Sequence, residues 1–274
     1  MIDLPLRLKT AIYPPRGNLV RIRYTERGRP LEAFVHDDEV FGLVRECVLQ
    51  RVYGAALHES GTVIDAGAHV GLFALAASCY AERVIALEPE PINFGVLEVN
   101  RRLNACPAIV PINAALWSED TQLRFATSWH TSGGSVSPDG DVVVEARGLD
   151  SLIDEFGPID VLKLDIEGAE AVVVPASKKL SQVRMIVGEL HLTHKDEART
   201  VLDPLRSQGF DIDVIPAEHL YTPAQLRAVF RNWSSLEHQM KIKLGLVALL
   251  LAPARKPRRP AGSRDMPLFV AARR

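Results

Sequence analysis

Apolar and polar positions along this chain alternate between two periods. Val63 and Ile64 form a short apolar run that ends in Asp65, and Val84 to Leu87 forms a second that ends in Glu88. The residues between them carry apolar positions at helical spacing. The same alternation continues, predicting strands at 62–66, 83–88, 109–114, 160–164, 184–189 and 210–215. Helices are predicted at 70–80, from Pro91 to about Leu103, at 149–155, after Gly168 and at roughly 194–208; Pro91 suits a first helical position. A final strand is predicted from Pro267 to Ala272. Strands that alternate with helices imply an α/β fold, a mainly parallel sheet with helices on both faces.

Three stretches depart from that rhythm. Residues 1–58 read as a separate N-terminal region. Leu19 to Tyr24 alternates and can pair with Leu31 to Val35 as a hairpin, and 37–58 has helical spacing through Val40, Phe41, Val44, Val48 and Val52. Residues 116–147 read as short strands around the glycine-rich T-S-G-G-S-V. Residues 216–265 read as an insert in the domain that spans 59–274. It holds helices at 223–232 and 235–251, then a basic, proline-rich segment with Arg255, Lys256, Arg258, Arg259 and Arg264.

Composition narrows the class. The 274 residues are 47% hydrophobic, enough for a packed core, and the net charge of −2 exerts no overall pull on nucleic acid or an anionic membrane. Cys47, Cys79 and Cys106 are dispersed, without a C-x-x-C pair, so a reducing cytoplasmic setting is expected and a disulfide or structural zinc is not. Neither a signal peptide nor a run of the ~20 apolar residues that a membrane span needs is present in the sequence.

The candidate chemistry lies at the ends of the strands. In D-A-G-A-H-V-G, Gly67 permits a sharp turn and close approach to a ligand, and Gly71 lets the next helix pack near the strand. The dehydrogenase pattern G-x-G-x-x-G is absent. Asp65 would repel a pyrophosphate but accept hydrogen bonds from an ammonium group or water. That favours a cationic, phosphate-free cofactor such as S-adenosylmethionine over NAD. Glu88 closes the second strand, where its two oxygens can accept both ribose hydroxyls. Strand four ends at Asp165 in L-K-L-D-I-E-G-A-E, and strand five ends in G-E-L-H with Glu189 and His191. Ligands of open parallel sheets bind beyond the carboxyl ends of the strands, so Asp65, Glu88, Asp165 and Glu189 are expected on one rim. Glu167 and Glu170 read equally as favourable charges near a helix N-terminus. An oxygen-rich magnesium site from Asp165 and Glu189 is chemically conceivable, but no metal is expected.

Taken together, V-I-D-A-G-A-H-V-G-L-F, A-L-E-P-E-P-I-N-F-G-V-L-E-V-N, I-N-A-A-L-W, G-L-D-S-L-I, I-D-V-L-K-L-D-I-E-G-A-E and I-V-G-E-L-H resemble the FkbM family of class I S-adenosylmethionine-dependent methyltransferases over about residues 60–192. The resemblance implies a Rossmann-like seven-stranded sheet with its last strand antiparallel. It implies that Asp65, Gly67, His69 and Gly71 line the methionine side of the cofactor, that Glu88 binds ribose, that Asn113 and Ala114 border adenine, and that Asp165 faces the transferred methyl. His69 stands where the family commonly has asparagine.

The expected function is O-methylation of a small polar acceptor such as a sugar, a hydroxy acid or a polyketide intermediate. Asp165 would orient the acceptor, with Glu189 or His191 as base. Two other classes remain open at this point. An RNA methyltransferase would use the basic segment at 255–264 for phosphate contact, although the rest of the chain is not basic. A non-catalytic interaction protein that keeps a cofactor fold could form a homodimer through Leu244 to Ala252, a stretch that also suits a buried helix.

Overall fold

The alternation of apolar runs and helical stretches becomes a sheet between two helical layers. A computed structural model describes residues 19–36, 61–127, 134–190, 197–215 and 268–273. The strands are β1 (Leu19–Glu26), β2 (Arg29–His36), β3 (Thr62–Ala66), β4 (Arg83–Leu87), β5 (Ile109–Ile112), β6 (Ala115–Trp117), β7 (Thr121–Ala126), β8 (Ser135–Val136), β9 (Val142–Gly148), β10 (Ile159–Leu164), β11 (Val183–Glu189), β12 (Asp211–Ile215) and β13 (Leu268–Ala272). The helices are α1 (Leu72–Ala77), α2 (Pro91–Leu103), α3 (Leu149–Phe156), α4 (Glu170–Ala176) and α5 (Glu197–Ser207). Among the described residues, no helix is long and apolar enough to cross a membrane.

Seven strands form the central sheet in the order β12-β13-β11-β10-β3-β4-β5. The pairs from β11 through to β5 are parallel, and β13 runs antiparallel to both β11 and β12. This is the expected Rossmann-like arrangement with an antiparallel last strand. Successive residues of a strand face opposite sides of a sheet. Val63, Val84 and Val161 accordingly pack into one cluster with Phe73 and Leu75 of α1 and Leu97 of α2. Ile64, Ile85 and Leu162 enter a second cluster with Leu152 of α3, Val173 of α4 and Leu205 of α5. Burying a leucine or isoleucine of this kind contributes roughly 1.5–3 kcal/mol.

Two elements are shorter than the periodic reading, each for a local reason. The helix expected at 70–80 starts only at Leu72, because Gly71 is left-handed at φ 83. It stops before Ser78, whose hydroxyl donates to Leu75 O at 2.7 Å. The strand expected at 109–114 ends at Ile112, where the Ala114 amide folds back onto Ile112 O at 2.9 Å. The chain then leaves the main sheet. It enters a separate four-stranded sheet, β6-β9-β7-β8, built from the stretch read as short strands and loop.

The N-terminal hairpin is present as β1 and β2, paired antiparallel from Leu19–His36 to Glu26–Arg29. Leu31, Ala33 and Val35 of β2 join the first core cluster. The outer edge of β2 is covered by side-chain amides of α2. Asn104 receives the Glu32 amide at 2.8 Å and donates to Glu32 O at 2.6 Å. Asn100 receives the Phe34 amide at 2.7 Å and donates to Phe34 O at 2.9 Å. Two asparagines one turn apart thus stand in for a neighbouring strand. The expected helix at 37–58, part of T-S-G-G-S-V, His191 and the insert at 216–265 lie outside the described residues.

Candidate active site

The carboxyl ends of β11, β10, β3 and β4 lie side by side because these four strands are adjacent and parallel. Each brings an acid: Glu189, Asp165, Asp65 and Glu88. Their environments differ. Asp65 is within β3, opposite Lys163 of β10 and Ala86 of β4, and is fully buried. Its Oδ1 accepts from Lys163 Nζ at 3.0 Å, while Oδ2 is buried with no hydrogen bond among the described residues. The Ala74 amide, near the start of α1, favours the carboxylate but does not complete a hydrogen bond to Oδ2. Burial pushes the Asp65 carboxyl up from the usual range, against the pull of the Lys163 charge.

The turn after β3 is held from below. The amides of Gly67 and Ala68 both donate to Leu87 O, at 3.1 and 2.8 Å. Gly67 has φ 73, and a Cβ there would lie 1.9 Å from the carbonyl oxygen of Asp165. The close approach that requires glycine is therefore made by the chain leaving β10. The packing role expected for Gly71 is toward helix α2 rather than the strand, since a Cβ would lie 2.9 Å from Leu97 Cγ.

His69, at φ 52, turns its amide toward β4 and donates to Glu88 Oε2 at 2.8 Å. The Glu90 amide donates to Glu88 Oε1 at 2.9 Å. Glu88 is 5% exposed, and burial raises its pKa to about 7 despite these two amides. Each oxygen keeps a lone pair for a further donor. Beside it, Asn113 Nδ2 donates to Glu88 O at 2.8 Å and Pro89 O at 3.2 Å, joining the exits of β4 and β5. Ala114 is buried next to it in sequence.

Asp165 is the accessible acid of the rim, with its side chain 21% exposed, and its amide donates to Ala66 O at 3.2 Å. The turn that follows is built on Glu170, which is buried and accepts from the amides of Ile166 and Gly168, both at 2.9 Å. Glu170 is thereby a turn-holding residue. Glu167 is exposed at φ 53, a strained value for a non-glycine residue. Glu189 ends β11 opposite Leu268 of β13 and is buried.

Two site residues escape the periodic reading. Lys163 contacts Asp65, Gly67 O at 3.1 Å and Asp165 Oδ2 at 3.8 Å. Its signal is a lysine interrupting the apolar run Val161–Leu164, one step before the strand's end. Asn100 also donates to Val70 O at 2.8 Å, so it secures the glycine turn as well as the hairpin. His36, at the end of β2, brings its ring 6.1 Å from that of His69. Among the described residues, no group of three histidine, cysteine or acidic side chains is arranged to hold a metal ion.

The donor set suits S-adenosylmethionine. Asp65 Oδ2 is a buried acceptor for an ammonium group, and the oxygens of Glu88 can take a diol. Comparison with known proteins bears on the same point. The family model described as the methyltransferase FkbM domain matches residues 65–212. No curated protein matches the chain. Among solved structures, a precorrin-6y C5,15-methyltransferase from Geobacter metallireducens GS-15 is 12% identical, with 82% of this chain and 87% of that one covered and a TM-score of 0.42. An rRNA methylase from Streptococcus thermophilus is 10% identical, with 85% and 95% covered and a TM-score of 0.43. M. jannaschii TYW2, solved in complex with AdoMet, is 13% identical, with 95% and 87% covered and a TM-score of 0.38. The family match covers over half of the chain, and the protein belongs to the FkbM family of methyltransferases, whose methyl donor is S-adenosyl-L-methionine.

Proposed function

We propose that the protein is an O-methyltransferase acting on a small polar acceptor that bears a hydroxyl group. The observation that carries this reading is the acidic rim, in which the accessible Asp165 and its neighbour Glu189 are the two acids not assigned to the donor. Four adjacent strand ends present Glu189, Asp165, Asp65 and Glu88. Among the described residues at these ends, Lys163 holds the only lysine or arginine charge, and Asp65 engages it. Carboxylates accept hydrogen bonds from hydroxyls and repel phosphate, which favours a polyol or alcohol over a nucleic-acid backbone.

S-adenosyl-L-methionine supplies an electrophilic methyl group on a sulfonium whose leaving thioether is neutral. Asp65, Gly67, His69 and Gly71 line its methionine side, Glu88 binds the ribose, and Asn113 and Ala114 border the adenine. Asp165 accepts a hydrogen bond from the acceptor hydroxyl and aligns it for in-line displacement. Glu189, or His191 in its place, removes the hydroxyl proton as the oxygen–carbon bond forms and the carbon–sulfur bond breaks.

The test is transfer of labelled methyl from the donor to separate pools of sugars, hydroxy acids, polyketide-type alcohols and RNA, with the product bond identified by mass spectrometry. Label in an ether or ester oxygen is the expected result. Label confined to RNA, or found on nitrogen alone, refutes the reading.

A further inference from the structure

Lys163 is an expensive residue where it stands. It is 5% exposed in β10, flanked by Leu162 and Leu164, and its ammonium group lies 5.5 Å from the centre of the Phe73 ring. A leucine or valine would fill such a position without the cost of burying a charge. The oxygens around Nζ belong to two different turns. Asp65 Oδ1, at 3.0 Å, and Gly67 O, at 3.1 Å, belong to β3 and its glycine turn. Asp165 Oδ2, at 3.8 Å, belongs to the turn after β10. The same two turns meet where Gly67 faces the Asp165 carbonyl with no room for a Cβ.

We propose that Lys163 is a positioning residue for methyl transfer: it ties the glycine turn to the turn after β10, so that Asp65 Oδ2 is held toward the donor's methionine end while Asp165 is aimed at the acceptor. The inference rests on the assignment of Asp65 to that end of the donor. Lys163 acts through the two acids and touches neither substrate. Lys163 holds Asp65 by Oδ1 and leaves Oδ2 for the donor. Without the lysine, Asp65 is a buried acid with no counter-charge. Its carboxyl then shifts further toward the protonated form, which is a poorer acceptor for an ammonium group. Among the described residues, charged groups that face Lys163 include Asp65 on β3, Asp165 after β10 and Glu88 after β4.

The test is a double-mutant cycle by calorimetry between pH 6 and 9, with S-adenosyl-L-methionine and its demethylated product as the two probes. The variants are Lys163→Met, Asp65→Asn and the pair. Each single variant is expected to weaken binding by about tenfold or more, and the pair by no more than the worse single. Relative to wild type, which carries the titration of Glu88, Lys163→Met is expected to recover affinity as pH rises and Asp65 ionises. Adding Asp65→Asn abolishes that recovery, and Lys163→Arg restores part of the binding at neutral pH. A lysine that only fills space gives no such pH-dependent recovery. Losses that multiply to roughly a hundredfold, or wild-type affinity in Lys163→Met, overturn the proposal. Where Lys163→Met alone does not fold, the pair must recover a folded protein, because both buried charges leave together; failure of that rescue also overturns it. Wild-type protein that binds neither probe overturns the cofactor assignment itself, a separate result.

Discussion

The backbone amide of His69 donates to Glu88 Oε2 at 2.8 Å, so the glycine turn and the acid after β4 are one hydrogen-bonded unit. The left-handed backbone at His69 makes this contact possible. The contact also links two predictions to a single carboxyl group.

Glu88 titrates near neutrality, with burial raising its pKa from 4.5 to about 7. A ribose diol donates to the ionised form, so donor binding below about pH 7 releases a proton. Calorimetry in buffers of different ionisation enthalpy should show that release, with affinity rising as pH rises through about 7. Glu88→Gln should lose the release and weaken binding. Donor binding by wild-type protein that is independent of pH from 5.5 to 8 rules out this ribose contact.

The same acid sets a stability trend in the protein without donor. Its folded pKa lies above its unfolded value, so the folded state binds the extra proton. The stabilisation is complete below about pH 4.5 and is lost as pH rises through about 7. Its size is on the order of 3 kcal/mol. Denaturant unfolding of wild type and Glu88→Gln across this range isolates the term as the difference between their slopes.

Two glycine-to-alanine changes should have opposite signs. Gly67→Ala places a Cβ 1.9 Å from Asp165 O at a left-handed backbone position, and it should cost several kcal/mol, about 3 or more, or prevent folding. Gly95 is on α2 with nothing within 4 Å of the added Cβ, so Gly95→Ala should stabilise by about 0.5–1 kcal/mol. Thermal unfolding of the pair decides both.

Asn100→Ala removes three hydrogen bonds from a fully buried amide that joins the hairpin to the glycine turn. It should destabilise by about 1–3 kcal/mol and speed hydrogen exchange at the Phe34 amide. Exchange at Phe34 as slow as in wild type would show that the hairpin does not depend on α2.

Asp165→Asn keeps the shape of the accessible acid and removes its charge. With an acceptor in hand, kcat should fall by about a hundredfold while donor affinity stays within about threefold. Unchanged turnover removes Asp165 from the chemistry. Glu189→Gln separates the base candidates, since a fall of similar size assigns the proton to Glu189 and an intact kcat leaves it to His191.

The parallel core is legible in the sequence because strands buried on both faces read as apolar runs, and β3, β4, β10 and β11 each carry an acid at or next to their carboxyl ends. Val63–Asp65 and Val84–Glu88 mark their strands to within a residue. Lys163 is harder to read, since a lone lysine in a strand looks the same whether it reaches solvent or a buried carboxylate. Asn100 and Asn104 are invisible for another reason. Their partners are backbone groups of Glu32 and Phe34, and no side-chain pattern records which backbone a buried amide will meet. The second sheet is hidden because β6 and β9 pair across a long separation in the sequence, which local periodicity cannot report.

The placement of β13 between β11 and β12 shapes how the protein is made. Among the described residues, 211–215 reach the sheet only through residues 268–272, which follow every other strand of that sheet in the chain. During synthesis β11 waits with an open, apolar border, the kind of surface on which nascent chains stick to one another. Closing this edge of the sheet therefore waits for β13, like a wall completed by its keystone course.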